Sequence, residues 1–491
     1  MGSTPIHSRS MQQILLESDR RFAFAVMIAL CVAAGLLAGA YVAILSPLYA
    51  VAGVLAIAAG LLMLRDVWWG LVGLFALNTL LPFGALPIKL GLTPTFLDLV
   101  LVVIYFVWLA RIARGKAGGF VGTVLNLPVA VFLLLACASF IAGLGHASLN
   151  QYVLRHFVEI LLCISLFFVV VNNVRTWSSL KGLVVALIAA GFGAALIGVV
   201  LYFLPAEWSI RLLSALGRLG YPTGAGVLRY VDDDPTLPQR AISTSTDPNI
   251  LGGLLILITT LTVAQLFSRE PLLKRPLLAG MALVDAACLY LTYSRGSLLG
   301  LAVGLGVLAV VKYRRLIPLM GLAAVLLLLL PQAQAYIQRL VEGLQAQDLA
   351  TQMRLGEYKD AFLLIGRHPW IGVGFVGTPE TSLYIGVSSV YLLMAEEMGL
   401  IGLAAFIVII ALFFRQVWRA WPRMVAARGS GASQRARLQE AIVLGLVASI
   451  AGVLVGGILD HYFFNLDFPS SVSVFWLYLG LAMAAVRIAD S

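Results

Sequence analysis

The chemistry-bearing residues of this chain gather where polar segments interrupt long apolar runs. The first break, Leu291-Thr292-Tyr293-Ser294-Arg295-Gly296-Ser297, sets one arginine between two stretches that each look long enough to enter a bilayer. A guanidinium beside hydrocarbon costs from about 2.5 kcal/mol upward, so Arg295, with Ser294 beside it, marks a site for something polar. A second polar stretch, Gln239-Arg240-Ala241-Ile242-Ser243-Thr244-Ser245-Thr246-Asp247-Pro248-Asn249, stops where Ile250 begins an apolar run. Asp247-Pro248 reads as a helix cap followed by proline in the first turn. Such a start leaves backbone N–H groups at the positive end of a helix dipole, and Asn249 and Arg240 lie beside it, so the segment suits an anion.

Five further arginines, Arg211, Arg218, Arg229, Arg354 and Arg367, lie in the segments flanking these runs. Guanidinium is permanently charged, and its forked donors match phosphate oxygens, so several in one site would suit a pyrophosphate. For Arg211, Arg218 and Arg367, contact with water or lipid headgroups explains the charge equally well. The segment Met353 to Phe362 has helical spacing, with an apolar face at Leu355, Tyr358, Phe362 and Ile365 that suits a helix lying on a membrane surface. It leads into Arg367-His368-Pro369-Trp370-Ile371-Gly372-Val373-Gly374, where the glycines allow tight turns and His368 is a base or a bend residue. Adjacent carboxylates at Glu396 and Glu397 face about 100 degrees apart on a helix, so one of them is expected to partner an arginine. Asp460-His461-Tyr462-Phe463-Phe464-Asn465-Leu466-Asp467 adds a carboxylate and a histidine, either an acid/base pair or caps among interfacial aromatics.

The elements that must position these residues are membrane helices. The chain has 491 residues, 61% hydrophobic and 11% charged, far from the roughly 25% charged residues of soluble domains. It reads as one all-α polytopic membrane domain over 1–491. Apolar segments of spanning length fall near 22–45, 47–64, 67–82, 95–110, 125–145, 153–171, 180–204, 249–267, 276–293, 296–311, 316–331, 390–414, 441–459 and 471–486. That gives fourteen helices, or about twelve with a re-entrant segment. The first is expected to be a retained helix rather than a signal peptide. With the N-terminus inside, 22 of the 33 Lys and Arg residues fall in inner connections, which favours both termini inside. The two long connections, 205–248 and 332–389, then fall outside, where chemistry is expected. Arg415 to Arg437 reads as a flexible inner loop.

Several classes lose support. The net charge of +10 follows loop placement rather than a nucleic-acid patch, and the chain has no Walker A loop or G-x-G-x-x-G fingerprint. The four cysteines fall in apolar runs without metal spacing and read as buried small hydrophobes, and no cofactor is expected. A secondary transporter or flippase for an anionic lipid-linked solute is the alternative from another class, although no paired broken-helix repeat is visible.

Four pieces in order resemble the O-antigen ligase and Wzy-type polymerase family of bacterial envelope glycan enzymes. They are Asp247-Pro248-Asn249, Ser294-Arg295-Gly296 with Leu298-Leu299-Gly300, Arg354 through His368-Pro369-Trp370-Ile371-Gly372-Val373-Gly374, and Glu397-Met398-Gly399-Leu400-Ile401-Gly402. The resemblance implies a GT-C-like enzyme of the bacterial inner membrane. Such an enzyme takes a glycan from undecaprenyl diphosphate on the periplasmic side and passes it to a hydroxyl of a glycan or lipid acceptor, with other envelope-glycan assembly proteins as possible partners. It implies diphosphate binding by Arg240 and Arg295 and no obligatory metal. One departure is visible: the family's ligases carry a histidine before the Glu-x-Gly-Leu-Ile-Gly helix, where this chain reads Tyr384 to Tyr391 without one. The base therefore stays open among Glu397, His368, His461 and Asp460, and a polymerase, or a ligase for another acceptor, fits better.

Overall fold

The structure, a computed structural model, describes residues 47–86, 93–116, 118–145, 148–329, 345, 349–376, 387–426 and 434–490. The expected span 22–45, most of the 332–389 connection before 349, and the Tyr384 segment up to 386 lie outside these residues. The chain divides into two units, Met1–Arg65 and Asp66–Ser491. In the first, the described element is α1 (Pro47–Arg65).

The second unit contains α2 (Val67–Leu80), α3 (Phe96–Ala113), α4 (Asn126–Gly143), α5 (Gln151–Asn173), α6 (Trp177–Phe203), α7 (Ala206–Ala215) and α8 (Pro248–Leu266). These are followed by α9 (Arg275–Leu291), α10 (Arg295–Val311), α11 (Leu316–Leu329), α12 (Leu349–Arg367), α13 (Val390–Ala426), α14 (Gln434–Gly456) and α15 (Pro469–Asp490). Eight of the helices are long and apolar enough to cross a membrane, and the only sheet among the described residues is one two-residue hairpin. The protein is an all-α polytopic membrane protein. Side-chain caps fix where many helices begin: Asp66, Thr95, Asn150, Thr176, Asp247 and Ser294 each accept a backbone N–H of the first turn.

Helices α8, α14 and α15 form the centre. Buried residues make up 83%, 83% and 89% of their membrane windows, against 28% for the peripheral α3. Small residues let α10 lie against α14 at backbone distance. A Cβ at Gly300 would stand 2.7 Å from the Gly452 carbonyl, one at Gly304 3.2 Å from Ala448 O, and one at Gly296 3.4 Å from Gly456 O. The spacing Gly296, Gly300, Gly304 is a small-residue stripe with a four-residue step, and it runs antiparallel to Gly456, Gly452 and Ala448.

The helix ends sort by charge. At the end opposite the Ser294-Arg295 break, Lys312 pairs with Glu440 at 2.8 Å and Arg437 with Glu270 at 3.4 Å, while Arg487 donates to the last carbonyls of α5 and its cap, Val171 and Val174. One expectation changes. The basic stretch read as a flexible loop is largely helical, because α13 runs on to Ala426 and α14 starts at Gln434. Arg, Ala and Trp sustain a helix there despite Pro422, and only 427–433, with the Gly429–Ser433 cluster, falls outside the described residues. Of the two long connections, 205–248 holds α7 and the hairpin, and the described residues 349–376 of the second form α12 and the turn that follows it.

Candidate functional site

The hairpin of the first long connection sits on the α9–α10 break. Its strands, β1 (Arg229–Tyr230) and β2 (Gln239–Arg240), are antiparallel, and Arg229 lies directly opposite Arg240. Ala241 N donates to Leu291 O at 2.8 Å, which docks β2 on the end of α9. Arg240 then bridges two elements: Nε donates to Thr292 O at 2.7 Å and Nη2 to Asn249 Oδ1 at 2.7 Å. Arg229 Nε donates to Thr246 O at 3.2 Å. Like charges directly opposite each other on a hairpin repel, so these hydrogen bonds to neighbouring backbone and to Asn249 hold the two guanidiniums in place.

The first turns of α8 and α10 lie side by side. A Cβ on Gly252 would meet Ser297 Oγ at 2.4 Å and Ser294 Cβ at 3.4 Å. Ser294 caps α10 through Ser297 N, and Ser297 Oγ donates to Ser294 Oγ at 2.9 Å, so Arg295 is the first residue of α10, at the start of the glycine stripe. The α8 start differs from expectation in one respect. Asp247 Oδ1 accepts both Asn249 N (2.7 Å) and Ile250 N (3.1 Å), so the helix's own carboxylate occupies the N–H groups expected to await an anion. What the α8 start offers instead is the Asn249 side chain, already held to Arg240.

Backbone strain concentrates here. Among the described residues the non-glycine positions with positive φ are Asp232, Asp233, Ser243, Thr246 and Tyr293, all in the hairpin connection or at the break. A β-branched residue in this region, as at Thr246 (φ 56°), costs of order 1–3 kcal/mol, a pattern that clusters at binding sites.

The connection between α14 and α15 closes the other side. Val390 N, at the start of α13, donates to Gly457 O and Asp460 O. Tyr358 OH on α12 donates to Ser388 O at 3.3 Å, and Glu357 Oε2 accepts Ser388 N at 2.9 Å, tying α12 to the same place. The Asp460 carboxyl is buried and lies within electrostatic reach of Asp247, His461 and Arg354. Burial, reinforced by the Asp247 carboxylate, raises it above the ordinary aspartate range, against the opposing pull of His461 and Arg354. His461 Nδ1 meets Asn465 Nδ2 at 2.6 Å; the amide donates, so neutral His461 carries its proton on Nε2. On α12, Ala361 and Leu364 face inward, whereas Leu355 and Phe362, half of the anticipated apolar face, are 52% and 63% exposed.

Glu397 and His368 sit in a different arrangement. Val373 N and Gly374 N donate to the carbonyls of Glu396 and Glu397, and Leu400 N donates to Pro369 O. Gly399 (φ 68°) kinks α13, and a Cβ there would stand 2.3 Å from the Trp370 backbone. Gly372 and Gly374 also have positive φ, and Gly374 touches Gly143 of α4. The two motif segments are therefore halves of one backbone interlock, with His368 O accepting Gly372 N inside it. Neither Glu396 nor Glu397 makes an ion pair among the described residues, contrary to the expected arginine partner, and Glu397 Oε2 is buried without a hydrogen bond. The sequence reading missed this interlock, the glycine stripe and Tyr462. The last has its ring against Gly253 behind both helix starts, and its only sequence signal was an unbroken aromatic run. No group of His, Cys, Asp and Glu among the described residues has the geometry of a metal site.

The chain is thus a polytopic helical bundle in which the Arg229–Arg240 hairpin docks on the helix break ending at Arg295. Residues 280–407, about a quarter of the chain, match the family model described as O-antigen ligase, so the O-antigen ligase and Wzy-type family suggested by the motifs is supported. The matched segment contains Ser294, Arg295, Arg354, Tyr358, His368 and Glu397; Arg229, Arg240, Asn249, Asp460 and His461 lie outside it. Comparison with curated proteins gives no match. Over that segment the chain is similar to membrane proteins of the O-antigen ligase type.

Proposed function

We propose that this protein transfers a glycan from undecaprenyl diphosphate to an acceptor hydroxyl at the face of the membrane carrying the Ser294-Arg295 break. The observation that carries the reading is the facing pair Arg229 and Arg240, anchored by Arg240 on the break that begins with Thr292 and ends at Arg295. Two guanidinium groups opposed across a hairpin, with a third at the adjoining helix start, match a ligand carrying two linked phosphates. Departure of the lipid diphosphate from the anomeric carbon builds up charge on the bridging oxygen, and fixed guanidinium donors stabilise that charge more than the ground state. Asp460, buried within electrostatic reach of Asp247 and Arg354, is the carboxylate that takes the acceptor proton as the new glycosidic bond forms. The excess of basic residues at the opposite end supports a cytoplasmic location for that end in a bacterial inner membrane.

Purified protein in lipid nanodiscs, given lipid-linked oligosaccharide and acceptor, should form a new glycosidic product with no added metal. Arg295→Ala should lower the rate by at least a hundredfold while the helical content holds. A fully active variant, or movement of lipid-linked glycan without product, would overturn the proposal, the latter in favour of a flippase.

A further inference from the structure

At the same end of the bundle, the start of α5 carries a second polar cluster of opposite electrostatic character. Tyr152, Arg155, His156 and Glu159 follow the i, i+3, i+4, i+7 spacing and so share one helix face. Arg155 fixes this face to α3: Nη2 donates to Asp98 Oδ2 at 2.7 Å and approaches Glu159 Oε1 at 3.4 Å, while Nη1 donates to Thr93 O at 2.6 Å. The guanidinium is thus held between two carboxylates. His156 Nδ1 lies 3.0 Å from Glu159 Oε2. The Tyr152 ring lies against the imidazole, centroids 4.2 Å apart, and its hydroxyl donates to Asp467 Oδ1 at 2.6 Å.

A continuous polar line joins this cluster to the arginine site. Asp467 N donates to Asn465 Oδ1 at 2.7 Å, Asn465 Nδ2 donates to His461 Nδ1 at 2.6 Å, and His461 N donates to Asp460 Oδ1 at 2.9 Å. Tyr152 and Asp467 at its far end are both exposed. The charge decides what can bind there. Asp98, Glu159 and Asp467 outnumber Arg155, so a diphosphate is repelled, whereas a neutral chain rich in hydroxyl groups finds carboxylate and imidazole acceptors beside an exposed aromatic face.

Building on the transfer reading above, we infer that Tyr152, His156 and Asp467 form the subsite for the acceptor glycan, from which its terminal hydroxyl reaches Asp460. The test uses two probes on the full chain in detergent: oligosaccharide released by mild acid from the lipid-linked pool of the source cells, and farnesyl diphosphate. Tyr152→Ala and Asp467→Asn should each weaken oligosaccharide binding at least tenfold and leave farnesyl diphosphate binding unchanged, while Arg295→Ala should do the reverse. Tyr152→Phe, which keeps the ring and loses only the exposed hydroxyl, should fall between wild type and Tyr152→Ala. An unchanged oligosaccharide Kd in both variants, equal weakening of both probes, or no oligosaccharide binding by wild type would overturn the subsite. Oligosaccharide binding without farnesyl diphosphate binding would leave the subsite standing and remove the transfer reading instead.

Discussion

Asp460 is the residue at which charge state and chemistry meet. Its carboxyl is raised by burial and by Asp247, so in the folded protein the proton is released at higher pH than from an ordinary aspartate near 3.9. Two consequences of opposite sign follow. A base must be ionised, so the transfer rate should climb as pH rises through the raised value, and Asp460→Asn should both slow the reaction and flatten that limb of the profile. Ionising the same buried group opposes folding, so its contribution to stability is greatest below the unfolded pKa and is lost as pH rises through the window between the unfolded and folded values. Arg295→Lys offers a separate check on geometry. It keeps the charge and loses the planar fork, so a drop of at least tenfold in transfer is expected from kinetics with lipid-linked donor.

At the scale of elements, the Gly372–Gly374 turn and the Gly399 kink hold each other by backbone contacts that no side chain can replace. Gly399→Ala places a Cβ 2.3 Å from the Trp370 carbonyl and demands a positive φ, so we expect a loss of about 3 kcal/mol or more, seen as a clearly lowered Tm in detergent. Glu397→Gln alters a buried side chain that touches no arginine, and should leave donor binding near wild type. The sequence showed the helices because each long apolar run leaves little other choice in a bilayer, and it showed Asp247 and Ser294 as starts because capping is local chemistry. Tyr462 against Gly253, and the Tyr152-to-Asp460 line, depend on residues hundreds of positions apart meeting, which no local spacing encodes. The expected anion-binding N–H groups of α8 failed for a related reason: the same Asp247 that announces the helix also fills its end.

Over the whole molecule, the two ends of the bundle do different work. One gathers paired cations and neutralised helix ends, and the other opposes an arginine-rich site to an acidic one with Asp460 between them. If the basic end faces the cytoplasm, single cysteines placed at Arg269 and at Asp467 should show opposite accessibility to a membrane-impermeant maleimide in intact spheroplasts, Asp467→Cys alone reacting. The stripe of Gly296, Gly300 and Gly304 along Gly456, Gly452 and Ala448 adds a constraint of another kind. Its contacts repeat every four residues, so α10 can seat only in discrete notches about 6 Å apart. Depth of the Arg295 charge in the bilayer is therefore indexed like a ratchet rather than tuned continuously, and Gly300→Leu should not weaken the proposed site by degrees but displace Arg295 from it altogether.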